Sequence, residues 1–282
     1  MFKNIKKLVW AYDAEWVPDP KAGRLLYKLD EETPDAQVME RMWQEGGADE
    51  NNPQPYLKTV MCRLVSIAAI QRQVNKDGWP SLRLLSMPRE TTGPETEEKT
   101  IVGKFLKAMG ERQPQMVGYN SIAADMRILV QRGIIHGLSM PAFCRRPNKP
   151  WEGVDYFAKG SDFNIDLKDV ATPGWGQGSP SLNEMATLSG IPGKMEMDGE
   201  SVPPMWLEGR LDRIIAYNET DAVTTFLVWL RMAHFGGHLS TSQYESEQEL
   251  VRELLKSEAE KNGKNHLLDY LTEWDRLQKA TS

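Results

Sequence analysis

Leu8-Val9-Trp10-Ala11-Tyr12-Asp13-Ala14-Glu15 is the stretch from which the rest of the chain is read. Lys6 to Tyr12 has the composition of a strand, apolar and rich in β-formers, with Pro18 as the stop beyond it. Two acids follow at its C-terminal end. Residues two apart in an extended chain point to the same side, so Asp13 and Glu15 aim at one spot. Asp30/Glu32 and Asp198/Glu200 repeat the spacing, but neither follows an apolar strand. Active sites of open α/β sheets gather at the carboxyl ends of strands, and there a paired acid has a use. Alone, the pair fits a solvated strand end as well as a metal site.

Around this strand the pattern is that of an α/β protein. Thr59 to Gln71, Ser81 to Met87, Gln115 to Tyr119 and Asn164 to Leu167 read as further strands. Glu95 to Glu111, Ile122 to Ile134, Leu182 to Ser189 and Leu207 to Phe235 carry helical spacing. Residues 19–56 are polar and broken by prolines, an insertion with one short helix expected over Ala36 to Gln44. Glu245 to Lys279 is charged and helical, broken at Asn262-Gly263. The expected division is a domain over 1–240 and an appended C-terminal helical tail over 241–282. Strands first, then alternating helices and strands, indicate helices packed on a sheet.

Composition excludes several classes. Of 282 residues, 40% are hydrophobic and 26% charged, which disfavours a disordered chain. No apolar run reaches the roughly 18 residues of a membrane span, and the basic N-terminal residues lack a small-residue cleavage site. Cys62 and Cys144 are too few for a disulfide framework or a four-cysteine zinc site, so a reducing cytoplasm is the expected setting. A net charge of −6 argues against a wholesale basic coat for nucleic acid. It leaves a carboxylate-based nuclease open, because bound cations cancel such a cluster.

Two more acidic motifs follow. In Gly118-Tyr119-Asn120-Ser121-Ile122-Ala123-Ala124-Asp125 a strand turns into a helix and Asp125 lies near the helix start. The helix dipole alone would account for an acid there. In Tyr217-Asn218-Glu219-Thr220-Asp221, Tyr217 and Asp221 sit one turn apart on one face, continued by Ile214, Thr225 and Val228. That stripe points Asp221 inward, where an unpaired carboxylate is costly unless it is bonded or metal-bound.

Asp-x-Glu on a first strand, Asn-x-x-x-x-Asp at a strand-to-helix junction and Tyr-x-x-x-Asp on a late helix, in this order, resemble the DEDD superfamily of 3′–5′ exonucleases, tyrosine subclass. The likeness is greatest to the exonuclease domain of family-B DNA polymerases and its free-standing bacterial relatives, and it runs over roughly residues 5 to 235. Ser181-Leu182-Asn183-Glu184-Met185-Ala186 and Gly190-Ile191-Pro192-Gly193-Lys194 resemble the free-standing group. The resemblance implies a ribonuclease H-like mixed sheet flanked by helices, with an early antiparallel strand. It implies that Asp13, Glu15, Asp125 and Asp221 hold two divalent cations, Mg²⁺ or Mn²⁺, for metal-dependent hydrolysis of single-stranded DNA. Exoribonuclease activity and a non-catalytic nucleic-acid-binding role are the alternatives. Tyr217 would orient the attacking water rather than take its proton, since a phenol titrates near 10. Asn120 would lie near the terminal nucleotide. Ala124 stands where the family often has an aromatic residue, and altered packing rather than lost chemistry is expected from that. Asp166 also matches a recurrent acid of the family, read as supporting the site rather than as a ligand.

Other candidates are less specific. Trp16, Trp151, Trp175 and Trp206 suit either the core or stacking on unpaired bases. Arg145 and Arg146 form the best local basic patch, for phosphates or for solvent. His136, His234, His238 and His266 show no metal spacing and are read as structural. The tail is a candidate surface for a protein partner or for self-association.

Overall fold

The computed structural model describes residues 2–149, 151–173, 178–195 and 199–281. Its first strand, β1 (Leu8–Pro18), does not stop at Tyr12. It pairs antiparallel with β2 (Cys62–Val74) along its whole length, from Leu8 opposite Gln73 to Pro18 opposite Cys62, with a bulge after Glu15. Asp13 and Glu15 therefore lie within the strand, not beyond it. Pro18 is tolerated because it is the terminal residue, where a missing N–H costs little.

The sheet is completed by β3 (Pro80–Met87), β4 (Gln115–Gly118) and β5 (Asn164–Asp166), in the order β3-β2-β1-β4-β5. β2 is antiparallel to β1 and β3, whereas β1, β4 and β5 run parallel. This is the mixed sheet with an early antiparallel strand that the motifs imply.

Between β1 and β2 lie two helices, α1 (Pro20–Tyr27) and α2 (Asp35–Glu45). Hydrophobic spacing does not reveal α1, whose Leu25 and Leu26 face solvent. Its signature is local instead: Asp19 caps it by accepting from the Lys21 N–H, and Pro20 occupies the first turn. α3 (Glu98–Arg112) and α4 (Asp125–Ile135) cover one face of the sheet. Trp10, Tyr12, Ile67, Ala69 and Met116 are buried there beneath Phe105, Met109, Ile128 and Leu129. Two short helices, α5 (Pro141–Cys144) and α6 (Leu167–Ala171), flank β5, and α7 (Leu182–Leu188) opens on a capping box between Ser181 and Glu184.

α8 (Val202–Leu207) ends at Gly209, whose φ is +73°, so α9 (Leu211–Phe235) starts four residues later than its apolar pattern suggests. α9 lies across the second face of the sheet and is itself covered by α10 (Thr241–Asn262) and α11 (His266–Thr281). One core results: Val9, Ala11, Ile70 and Val117 from the sheet meet Val223, Phe226 and Leu230 of α9 and Val251, Leu255 and Trp274 of the tail. Arg72 of β2 donates twice to Glu247 of α10, at 2.6 and 2.5 Å, in a buried two-pronged pair. Among the described residues no helix is long and apolar enough to cross a membrane.

Candidate active site

β4 leaves the sheet at Gly118, while β1 continues past it. The side chain of Asp125 takes the vacant place, its Oδ1 accepting the Ala14 N–H at 3.0 Å. The turn that brings it there is tight. A Cβ at Gly118 would fall 2.3 Å from that of Ser121, and Asn120 adopts a left-handed conformation with φ 59°. Asp166, at the end of β5, holds this turn by accepting the N–H groups of Asn120 (2.8 Å) and Ile122 (3.1 Å) while capping α6 through Lys168. Its oxygens are thus spent on backbone, in keeping with a supporting role. Because of the turn, α4 begins at Asp125 itself rather than at Ile122.

Strand alternation puts Val9, Ala11, Asp13, Glu15 and Val17 on the side of α9. There α9 presents Tyr217 and Asp221. One carboxylate oxygen from each of Asp13, Glu15 and Asp221 lies within 4.8 Å of the others, and among the described residues no other such group of His, Cys, Asp and Glu converges. Asn218, next to Tyr217, donates to Asp13 at 2.7 Å and accepts from Ser66 at 2.9 Å, which fixes the Asp13 carboxylate from β2. Glu219 points the opposite way, into Lys264 (2.6 Å) and His266 (2.9 Å), so the tail grips the same turn of α9 from behind.

All four acids, Tyr217, Asn120 and Trp16 line one cavity of about 570 Å³. Burial raises Asp13 and Glu15 well above the ordinary carboxyl range, and mutual repulsion adds to it: Asp125, Glu15 and Asp221 act on Asp13, while Asp221 and Asp125 act on Glu15. Burial pushes Asp125 to about 7 against the pull of its backbone N–H partners. Asp221 also reaches about 7 through burial, restrained by the Tyr217 hydroxyl and by Lys194. Burial, then Asp221, lifts the Tyr217 phenol far above 10, so it remains a hydrogen-bond donor.

This chemistry fits divalent cations. The donors are hard carboxylate oxygens, crowded and desolvated, and among the described residues no guanidinium pairs with any of the four. Lys194, at the rim, is the cation that partly offsets the rise of both Glu15 and Asp221. Asn183 holds its backbone N–H at 2.8 Å, an approach that a side chain at Gly193 would block.

The remaining candidates separate. Arg145 and Arg146 do not line the cavity, and Arg146 is paired with Asp155 at 3.0 Å. Trp151 is exposed beside Lys149, and Trp206 lies under Arg63. Trp175 lies outside the described residues, as does the Asp198 of the third Asp-x-Glu spacing. His136 and His266 contact Glu98 and Glu219, and His234 and His238 contact backbone carbonyls, all away from the acids. Asn218 stands outside the three motifs, although its place between two motif positions offers a signal. Trp43, Gln54 and Tyr56, which line the cavity from the insertion and its exit, likewise stand outside the motifs.

The chain belongs to the family described as "Predicted 3'-5' exonuclease related to the exonuclease domain of PolB", whose model matches residues 54–274. It is accordingly classed as a nuclease, a hydrolase acting on nucleic acid. The matched span contains Asp125, Tyr217 and Asp221 and begins after Asp13 and Glu15. The family B DNA polymerase of the hyperthermophilic archaeon Pyrobaculum calidifontis is similar over 80% of this chain and 25% of its own, with a TM-score of 0.44 and 16% identity. The chain thus spans a quarter of that polymerase's length. No curated protein matches it.

Proposed function

We propose that this protein removes nucleotides from the 3′ end of single-stranded DNA, using two divalent cations, Mg²⁺ or Mn²⁺, held by Asp13, Glu15, Asp125 and Asp221. The observation that carries the reading is the convergence of Asp13, Glu15 and Asp221 within 4.8 Å, beside a Tyr217 hydroxyl bonded to Asp221. Bound there, such ions supply an activated water and stabilisation of the departing 3′-oxygen.

The chain's own groups set the geometry. Asn218 holds Asp13, and the Ala14 N–H holds Asp125, so two of the four acids are aimed before substrate arrives. Tyr217 keeps its proton, shares it with Asp221 in a hydrogen bond, and orients the attacking water by accepting a hydrogen bond on its hydroxyl oxygen. Lys194 faces the acids from the rim, where its charge meets an incoming phosphate. Asn120 and Trp16 border the space for the terminal nucleotide. Cys62 and Cys144 are both free, which suits a reducing cytoplasm.

Digestion of matched linear and circular single strands tests the reading, since an exonuclease needs an end. Linear DNA should be degraded with Mn²⁺ and the circle spared. Cleavage of the circle would indicate endonuclease action, and degradation of only the matched RNA would reassign the substrate.

A further inference from the structure

One wall of the cavity comes from the segment that leaves α2 and returns to β2. Asn52, Gln54, Pro55, Tyr56 and Leu57 all line the cavity that holds the four acids. Pro55 and Leu57 are buried, with Leu57 in the core beneath the sheet, whereas Tyr56 between them is 70% exposed. An alternating in-out-in backbone of this kind presents the Tyr56 ring from two fixed anchors. Trp79, Trp151 and Phe235 are exposed as well, and what sets Tyr56 apart is its place on the wall of the cavity that holds the four acids.

The same wall continues into a second cavity of about 500 Å³, which shares Asn52, Gln54 and Glu200 with the first. Among the described residues its lining contains amides and acids but neither Lys nor Arg. Such a surface repels phosphate and suits the edges and faces of bases. The Gln54 Oε1 atom, at the junction of the two cavities, is shielded from solvent and has no hydrogen-bond partner among the described residues. A side-chain amide there, turned about its last torsion, offers donor and acceptor to a base edge.

We infer that Tyr56 is a stacking platform for the terminal base of the substrate, with the Gln54 amide against that base's edge and the phosphate on the far side, toward the acids and Lys194. The inference rests on the exonuclease reading and adds to it a specificity-determining wall drawn from outside the three acidic motifs. Stacking on an aromatic ring is tolerant of sequence, so the device would hold any unpaired base and disfavour a paired 3′ end.

Steady-state digestion of a 5′-labelled oligomer by Tyr56→Ala should show KM raised by about 5- to 150-fold, the range of a lost base–aromatic stack, with kcat within about twofold, as for uniform binding. Tyr56→Phe, which keeps the ring, should restore KM. On an oligomer ending in an abasic nucleotide, wild type and Tyr56→Ala should become equal. An unchanged KM in Tyr56→Ala, or a defect that persists on the abasic end, would overturn the inference. Should the wild type degrade no oligomer, the exonuclease reading falls by itself. Fluorescence anisotropy of labelled oligothymidylate with Asp13→Asn against Asp13→Asn/Tyr56→Ala then decides the stacking role, weaker binding by the double variant supporting it and equal binding refuting it.

Discussion

Asp125 accepts the backbone N–H of Ala14, the residue between Asp13 and Glu15, at 3.0 Å. One carboxylate thereby closes the open edge of β1 and joins the second acidic motif to the first. The two tasks separate by mutation. Asp125→Asn keeps an oxygen for Ala14 and should melt at or above the wild-type temperature while losing most activity, because one of the four charges proposed to hold the cations is gone. Asp125→Ala strands a buried N–H and should cost about 1–3 kcal/mol in addition. Urea unfolding of both variants checks this, and equal stability of the two would refute the double role.

Stability should fall as pH rises in the metal-free protein. Asp125 and Asp221 keep their protons up to about 7 in the fold, whereas an unfolded carboxyl releases its proton near 4. Between those values the native state binds more protons than the unfolded one, so the stabilisation present at low pH is lost on the way to pH 7. The melting temperature measured with chelator should therefore decrease from pH 5.5 to pH 8. Added Mn²⁺ should raise it most at pH 8, where the acids are ready to bind. A chelated protein that grows more stable over this window would contradict the raised titration of the two buried acids.

Tyr217 is assigned the orientation of water, without proton abstraction. Tyr217→Phe fits the same volume but takes the hydroxyl partner from buried Asp221, so it should cost about 1 kcal/mol in the metal-free protein. kcat should fall by up to about 100-fold, as for a misplaced reactant, while the basic limb of the pH–rate profile stays as in the wild type. Loss of the profile's basic limb in the variant would show that Tyr217 titrates in the reaction.

The buried Arg72–Glu247 pair ties the tail to the sheet. Removing one partner leaves the other charged and unpaired, so Glu247→Ala should destabilise by about 3–5 kcal/mol, and Arg72→Met/Glu247→Leu should recover most of that. Deleting residues 242 to 282 removes Trp274 and Val251 from the core shared with Val9 and Ile70. The truncated chain, residues 1–241, should then expose apolar surface and aggregate instead of folding as a domain. A soluble, cooperatively melting truncation would contradict that packing.

The parts of the fold set by local chemistry were legible in the sequence. The apolar, β-rich run Leu8–Tyr12 located β1, the Tyr217–Asp221 spacing located the inward stripe of α9, and Asn262-Gly263 marked the break in the tail, where Gly263 has φ 67°. The extension of β1 to Pro18 was not legible, because it depends on pairing with β2 some fifty residues later. The start of α4 at Asp125 is not legible for a similar reason. Asp166 holds Asn120 in its left-handed turn, a contact between residues 46 apart in sequence. Within the site, the carboxylates were visible as residue types at set spacings. Asn218 and Tyr56 were not, since their meaning comes from what faces them: Asp13 for one and an open cleft for the other.

The most direct test of the acidic cluster as a nuclease centre is digestion of a 5′-labelled single-stranded DNA oligomer with Mn²⁺, wild type beside Asp13→Asn. The predicted result is a ladder shortening from the 3′ end in the wild type and none in the variant, with both proteins folded. Equal shortening by the two would contradict the assignment of the acidic cluster, and no shortening of DNA or RNA by either would contradict the enzymatic reading altogether.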